Sequence, residues 1–161
     1  MGYTHYWRRP PQLDKAMFKL WSEDVAKIVA AVEPGGLAGE RGIGLSGGTD
    51  HEPAQITDKI VYLNGVGEAA HEPFAVEQTF TPDYHRPDQW GRYFDFCKTA
   101  RKPYDLIVAA ALIRMKVRFK DTVQIASDGD GFDHEWQDAL SLCDKLFGDG
   151  VFGSAVLPMG V

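Results

Sequence analysis

The sequence predicts an α+β fold: an antiparallel or mixed sheet of about four to five strands with helices packed on one face. Three observations carry this. Leu106 to Ile113 is an unbroken apolar run inside a Gly-free stretch from Tyr104 to Val117. It reads as a helix that is apolar all round, hence a covered central spine. Leu13 to Glu33 places Leu13, Met17, Leu20, Trp21, Val25, Ile28, Val29 and Val32 at three- and four-residue spacings, an amphipathic helix. YTHYWRR (Tyr3 to Arg9), KIVYLN (Lys59 to Asn64) and PFAVEQTF (Pro73 to Phe80) are rich in β-branched and aromatic residues and read as strands. With a further strand, TVQIA (Thr122 to Ala126), the order becomes β-α-β-β-α-β, the ferredoxin-like plan.

Each element has its own boundary chemistry. Alternation in the first strand puts Tyr3, His5 and Trp7 on one face and Thr4, Tyr6 and Arg8 on the other, and Pro10-Pro11 ends it. One face should pack on the core, while the other is half exposed or lines a pocket. Pro34-Gly35-Gly36 stops the first helix, whose charged residues, Asp24 among them, read as a solvated face. Asn64-Gly65-Val66-Gly67 offers turn chemistry between the two middle strands. Phe74, Val76, Gln78 and Phe80 share one face of the second of these. Trp90 to Ala100 has helical spacing at Tyr93, Phe96, Cys97 and Ala100. Pro103 suits the start of the spine helix, where its missing N–H costs nothing. Asp133 is a cap for a last helix, His134 to Phe147, with Gly148 as its stop.

The connections offer motifs that fail on spacing. Residues 35–57 form a glycine-rich loop region with a short candidate strand at Ile43 to Ser46. No Gly-Lys-Ser or Gly-Lys-Thr follows, so it reads as a surface loop or lid and not a phosphate loop. Asp83, His85 and Asp88 lie in a proline-bearing loop without a strict metal-ligand signature. Around Asp128 and Asp130 a calcium loop would need carboxylates where Ala126 and Gln137 stand. No metal and no cofactor is expected. The apolar tail, 149–161, lacks helical period and would lie on the body or mediate self-association as a homo-oligomer.

A chain of 161 residues fits a single globular domain, and a net charge of −6 argues against a general nucleic-acid coat. The spine helix is too short and too closely flanked by charge to span a bilayer. Cys97 and Cys143 are the only cysteines and no signal-peptide pattern opens the chain, so a reducing cytoplasm with free, buried thiols is expected. Met1-Gly2 opens like a myristoylation site, but Tyr6 stands where Ser or Thr is required.

MGYTHYW (Met1 to Trp7) and FDFCKTARKPYD (Phe94 to Asp105), with SDG (Ser127 to Gly129), Trp136 and LFG (Leu146 to Gly148), resemble a family of small uncharacterised proteins of phages, prophages and their bacterial hosts. The resemblance spans most of the chain. It implies a phage-type protein in the bacterial cytoplasm, acting on host metabolism or defence, and brings no reaction or catalytic residue with it.

Hydrolase, deaminase and dinucleotide-binding signatures are missing. Lys98, Arg101 and Lys102 precede the spine helix, whose N-terminus favours negative charge. Tyr3, Tyr6, Trp7 and Tyr104 offer rings for a base. Together with His5 they compose a ligand-binding set: Tyr3, His5, Trp7, Lys98, Arg101, Lys102 and Tyr104. The expected function is non-enzymatic binding of a small anionic, nucleotide-like ligand, such as a host-defence signal. One alternative is an inhibitor or adaptor for a host protein. Another is an enzyme on a phosphorylated small molecule using His5, Cys97 or Asp128. The structural reading of the same cations is a salt-bridged collar around the spine helix.

Overall fold

The computed structural model describes residues 2–32, 43–48, 52–80, 82–129 and 133–148. Most of the glycine-rich region and the apolar tail therefore lie outside the described residues, as does part of the 126–137 segment. The described elements run β1 (Thr4–Arg9), α1 (Lys15–Val32), β2 (Gln55–Ile56), β3 (Ile60–Leu63), β4 (Phe74–Glu77), β5 (Tyr93–Lys98), α2 (Asp105–Phe119), β6 (Gln124–Ser127) and α3 (His134–Phe147). The fold class is α+β.

The strands do not form the one sheet expected. They divide into two antiparallel three-stranded sheets, β5-β1-β6 and β2-β3-β4. The β1–β6 pairing and the β3–β4 hairpin fit the ferredoxin-like order, but the hairpin stands in a separate sheet and β5 takes the other side of β1. Trp90 to Ala100, expected as helix, holds β5 instead. Its register sets Tyr6 opposite Phe96 and Arg8 opposite Phe94. The Ile43 to Ser46 strand reduces to a bridge between Ser46 and Asn64, and Gln55–Ile56 supplies an edge strand that the sequence did not announce.

Helix α2 is the spine. Ile107 to Ile113 is buried without a break, and α2 packs between α1 and α3. The indole N–H of Trp21 on α1 donates to the Ala111 carbonyl at 2.8 Å, fixing the crossing of these two helices. Asp14 starts α1 by accepting the Met17 N–H at 3.0 Å. Asp133 is extended before α3 and Gly148 closes it at φ 65°, a left-handed position that glycine adopts freely.

Asp24 corrects the expectation of a wholly solvated charged face on α1. It is buried and takes Arg114 Nε at 3.1 Å and Arg118 Nε at 2.8 Å. A buried carboxylate needs such partners, because leaving it uncompensated costs several kcal/mol (about 3–5). The basic run at the end of α2 is thus largely a structural collar. The two sheets are joined by Arg9, fully buried at the end of β1. Its guanidinium donates to the Glu77 carbonyl and, at 3.0 Å, to the Gln78 carbonyl at the end of β4.

Candidate functional site

The β5-β1-β6 sheet has two faces of opposite character. The inner face carries Tyr3, His5, Trp7 and Arg9, all at most 1% exposed. Tyr3 Oη lies 3.1 Å from Ser127 Oγ, and that hydroxyl also accepts the Trp136 indole N–H at 2.8 Å. His5 Nε2 lies 2.7 Å from Asp105 Oδ1, which also accepts the Thr99 hydroxyl. With the Asp105 carboxylate as acceptor, Nε2 is the donor in this bond. His5 Nδ1 and Trp7 Nε1 are buried without a hydrogen-bond partner. Trp7 packs edge-on to Phe74 at 5.3 Å, in the core.

Three rings proposed to stack on a ligand, Tyr3, Trp7 and Tyr104, therefore have no open face. Tyr104 is fully buried, and its hydroxyl donates to the Glu72 carbonyl at 2.5 Å. Burial, followed by the neighbouring Cys97, pushes its phenol pKa up. It is a pin between the loop before β4 and the start of α2.

The Lys98 to Tyr104 turn is held just as firmly. The Thr99 and Ala100 N–H groups both donate to the Tyr3 carbonyl at 3.0 Å. Ala100 and Arg101 take φ of 51° and 56°, left-handed values that cost a side-chain-bearing residue about 1 kcal/mol each. Arg101 is held by the protein itself: Nε donates to Glu135 Oε1 at 2.6 Å, and the guanidinium lies 4.3 Å over the Tyr3 ring. Carboxylates occupy the first turns of both nearby helices, Asp105 in α2 and Glu135 in α3. The charge that those N-termini favour is already supplied by the protein. Lys98 lies across Gly2, where an added Cβ would meet Lys98 Cε at 2.5 Å. Lys102 is half-buried, its N–H bonded to the Thr99 carbonyl.

The outer face is the part of this sheet that meets solvent. Tyr6 on β1 stacks with Phe94 on β5 at 5.7 Å between centroids, 27° from parallel. Phe94 stacks in turn with Phe96 at 6.0 Å and 29°. Phe96 is 49% exposed. Arg8 stands 5.4 Å over the Phe94 ring. Tyr6 is fixed by its hydroxyl, which donates to Asp128 Oδ1 at 2.5 Å, while Oδ2 of the same carboxylate takes the Thr4 N–H. That hydrogen bond, then burial, raises the Tyr6 pKa. Tyr6 and Phe94 are half-buried, so the ladder is open to solvent chiefly at Phe96.

The ladder continues into a groove at the Arg8 end. Arg8 lies opposite Gln124 on β6. Gln124, Trp90, Arg92, Lys116, Thr122 and Asp121 line a groove of about 490 Å³ with Pro10. Asp88 organises its rim: Oδ1 accepts the N–H groups of Trp90 and Arg92, and Oδ2 takes Arg92 Nε at 3.2 Å and lies 4.0 Å from Arg8. Burial would raise the Asp88 pKa, but these N–H groups and the Arg92 charge bring it below the usual carboxylate value. The Arg92 guanidinium lies 4.9 Å over the Trp90 ring, which is 68% exposed.

Cys97 and Cys143 are buried. Burial, with Glu72 second, pushes the Cys97 thiol pKa well above its ordinary value and disfavours the thiolate. Among the described residues no group of three His, Cys, Asp or Glu side chains could hold a metal ion. None of their helices is long and apolar enough to cross a membrane.

Of the sequence-predicted set, the structure brings Tyr3, His5, Arg101 and Tyr104 together as packing and hydrogen-bonding partners of the Thr99–Asp105 turn. Phe94, Phe96 and Trp90 were not among the sequence-predicted site residues; for Phe94 and Phe96 the signal was the second alternation hidden in YFDFCK. Searches against protein-family models, curated proteins and solved structures find no match to this chain.

Proposed function

We propose that this protein is a non-enzymatic binding protein for a small anionic ligand with an aromatic ring system, a nucleotide-like molecule, held on the outer face of the β5-β1-β6 sheet. The observation that carries the reading is the Tyr6–Phe94–Phe96 ladder with Arg8 against it. Base-on-aromatic stacking contributes about 1–3 kcal/mol per base, and an adjacent guanidinium supplies charge for a phosphate. The ligand class is the one that the sequence suggests; the face is the opposite one, because the inner rings are consumed by the core. The resemblance to phage and prophage proteins makes a nucleotide signal of host defence, met in the bacterial cytoplasm, the first ligand to try.

A protein partner is the second reading. Exposed Tyr84, Trp90 and Phe96 beside arginines have the composition of an interface hot spot. Native mass spectrometry of the purified chain against a panel of nucleotides separates the two. Adducts that Phe96→Ala removes support ligand binding. A spectrum without adducts across the panel overturns it and leaves the protein partner.

A further inference from the structure

We infer that the ligand carries two nucleobases joined by a phosphodiester, so that it spans from the ladder to the Trp90 groove. This rests on the nucleotide reading above and goes further by assigning a second station. The surface has two separate aromatic platforms. One is Tyr6, Phe94 and Phe96 on the sheet; the other is Trp90, in the loop before β5. Side-chain contacts join them in one path: Phe94 lies under Arg8, Arg8 faces Asp88, and Asp88 holds both Trp90 and Arg92. The cations are thus placed between the rings, with Lys116 at the groove wall. A mononucleotide would use one platform and one end of that path. A base–phosphate–base unit matches the order ring, cation, ring.

Charge supports this occupant over a long, uniformly coated strand. The carboxylates of the path are Asp88, Asp121 and, bonded to the Tyr6 hydroxyl, Asp128. Asp88 is engaged by Trp90, Arg92 and Arg8, and Asp121 projects fully into solvent, 3.7 Å from Lys116. Arg8, Arg92 and Lys116 are therefore matched by these three carboxylates, with no local excess of positive charge on a chain of net charge −6. That limits contact to one or two phosphates, with a shallow salt dependence.

The molecule supplies its own reporter. It has four tryptophans. Trp7, Trp21 and Trp136 are at most 1% exposed, and Trp90 is 68% exposed. Quenching of the accessible emission thus reports the second station. The probes are adenosine monophosphate, the linear dinucleotide pApA and a ten-nucleotide adenine strand, titrated by calorimetry and by fluorescence against the full chain and its Trp90→Ala and Phe96→Ala variants. The expected result is that pApA binds about tenfold tighter than the mononucleotide and quenches Trp90. Trp90→Ala should bring pApA down to mononucleotide affinity, and Phe96→Ala should weaken both. A decamer tighter than pApA assigns a single-stranded nucleic acid as the source, and equal affinity assigns a free dinucleotide. Mononucleotide binding as tight as pApA and indifferent to Trp90→Ala overturns the second station while the nucleotide reading stands. Failure of all three probes on folded protein overturns both.

Discussion

The ring of Tyr6 and the ring of Phe94 stack across the β1–β5 pair at 5.7 Å, on the solvent side of a sheet whose other side is filled by Tyr3, His5 and Trp7. This one relationship divides the N-terminal strand into a structural half and a half available for binding. Residues two apart on β1 therefore differ from their neighbours in kind, and substitutions along this strand should separate into stability effects and affinity effects.

Arg101→Ala falls in the first group. It removes the nearer partner of Glu135, whose side chain is only 6% exposed and keeps His134 Nε2 at 3.4 Å. Stability should drop by about 1 kcal/mol, the cost of weakening the hydrogen bonding of a buried acceptor. Denaturant unfolding checks this, and nucleotide affinity should stay within twofold of the parent. A large loss of affinity in a protein of unchanged stability would return Arg101 to the ligand site.

Cys97 should not react while the protein is folded. Its thiol donates to the Glu72 carbonyl and its pKa is held high by burial. A chromogenic disulfide reagent at pH 8 should label no thiol within minutes, then two after unfolding, the two cysteines of the sequence. Rapid native labelling of Cys97, located by peptide mapping, would contradict its burial.

Asp95 gives the fold a pH signature. Burial, opposed by the Phe96 N–H and the charge of Arg9, raises its pKa from 3.8 to about 6. Between those values the folded chain holds a proton that the unfolded chain has lost. Stability therefore falls as pH rises from about 4 to about 6, by up to about 3 kcal/mol through this group. Asp95→Asn should flatten the dependence in that window, measured by chemical unfolding at several pH values. An unchanged slope in the variant would place the titration elsewhere.

Much of the fold was legible in local pattern. The spine helix, α1, the cap and stop of α3, and the β3–β4 hairpin follow from periodicity and from Pro and Gly placement, which are properties of neighbouring residues. β5 was not. In YFDFCK both faces carry aromatic or apolar residues, so polarity does not alternate, and Tyr93, Phe96, Cys97 and Ala100 also fit a helix. Its strand state comes from pairing with β1, a partner about 90 residues away in sequence. The division into two sheets is non-local too, and turns on Arg9 reaching the β4 carbonyls. The site suffered for the same reason. Tyr6 was legible as lying on the face opposite Tyr3 and Trp7, but a ladder exists only once Phe94 and Phe96 are placed beside it. Tyr3, Trp7 and Tyr104 looked available because nothing in the sequence says which face a half-apolar strand buries.

The most direct test of the outer-face claim is nucleotide affinity of Phe96→Ala beside its unfolding free energy. Phe96 is half exposed, so its truncation should change stability by less than about 1 kcal/mol while lowering affinity by about tenfold or more. Unchanged affinity in a stably folded Phe96→Ala protein would contradict the account.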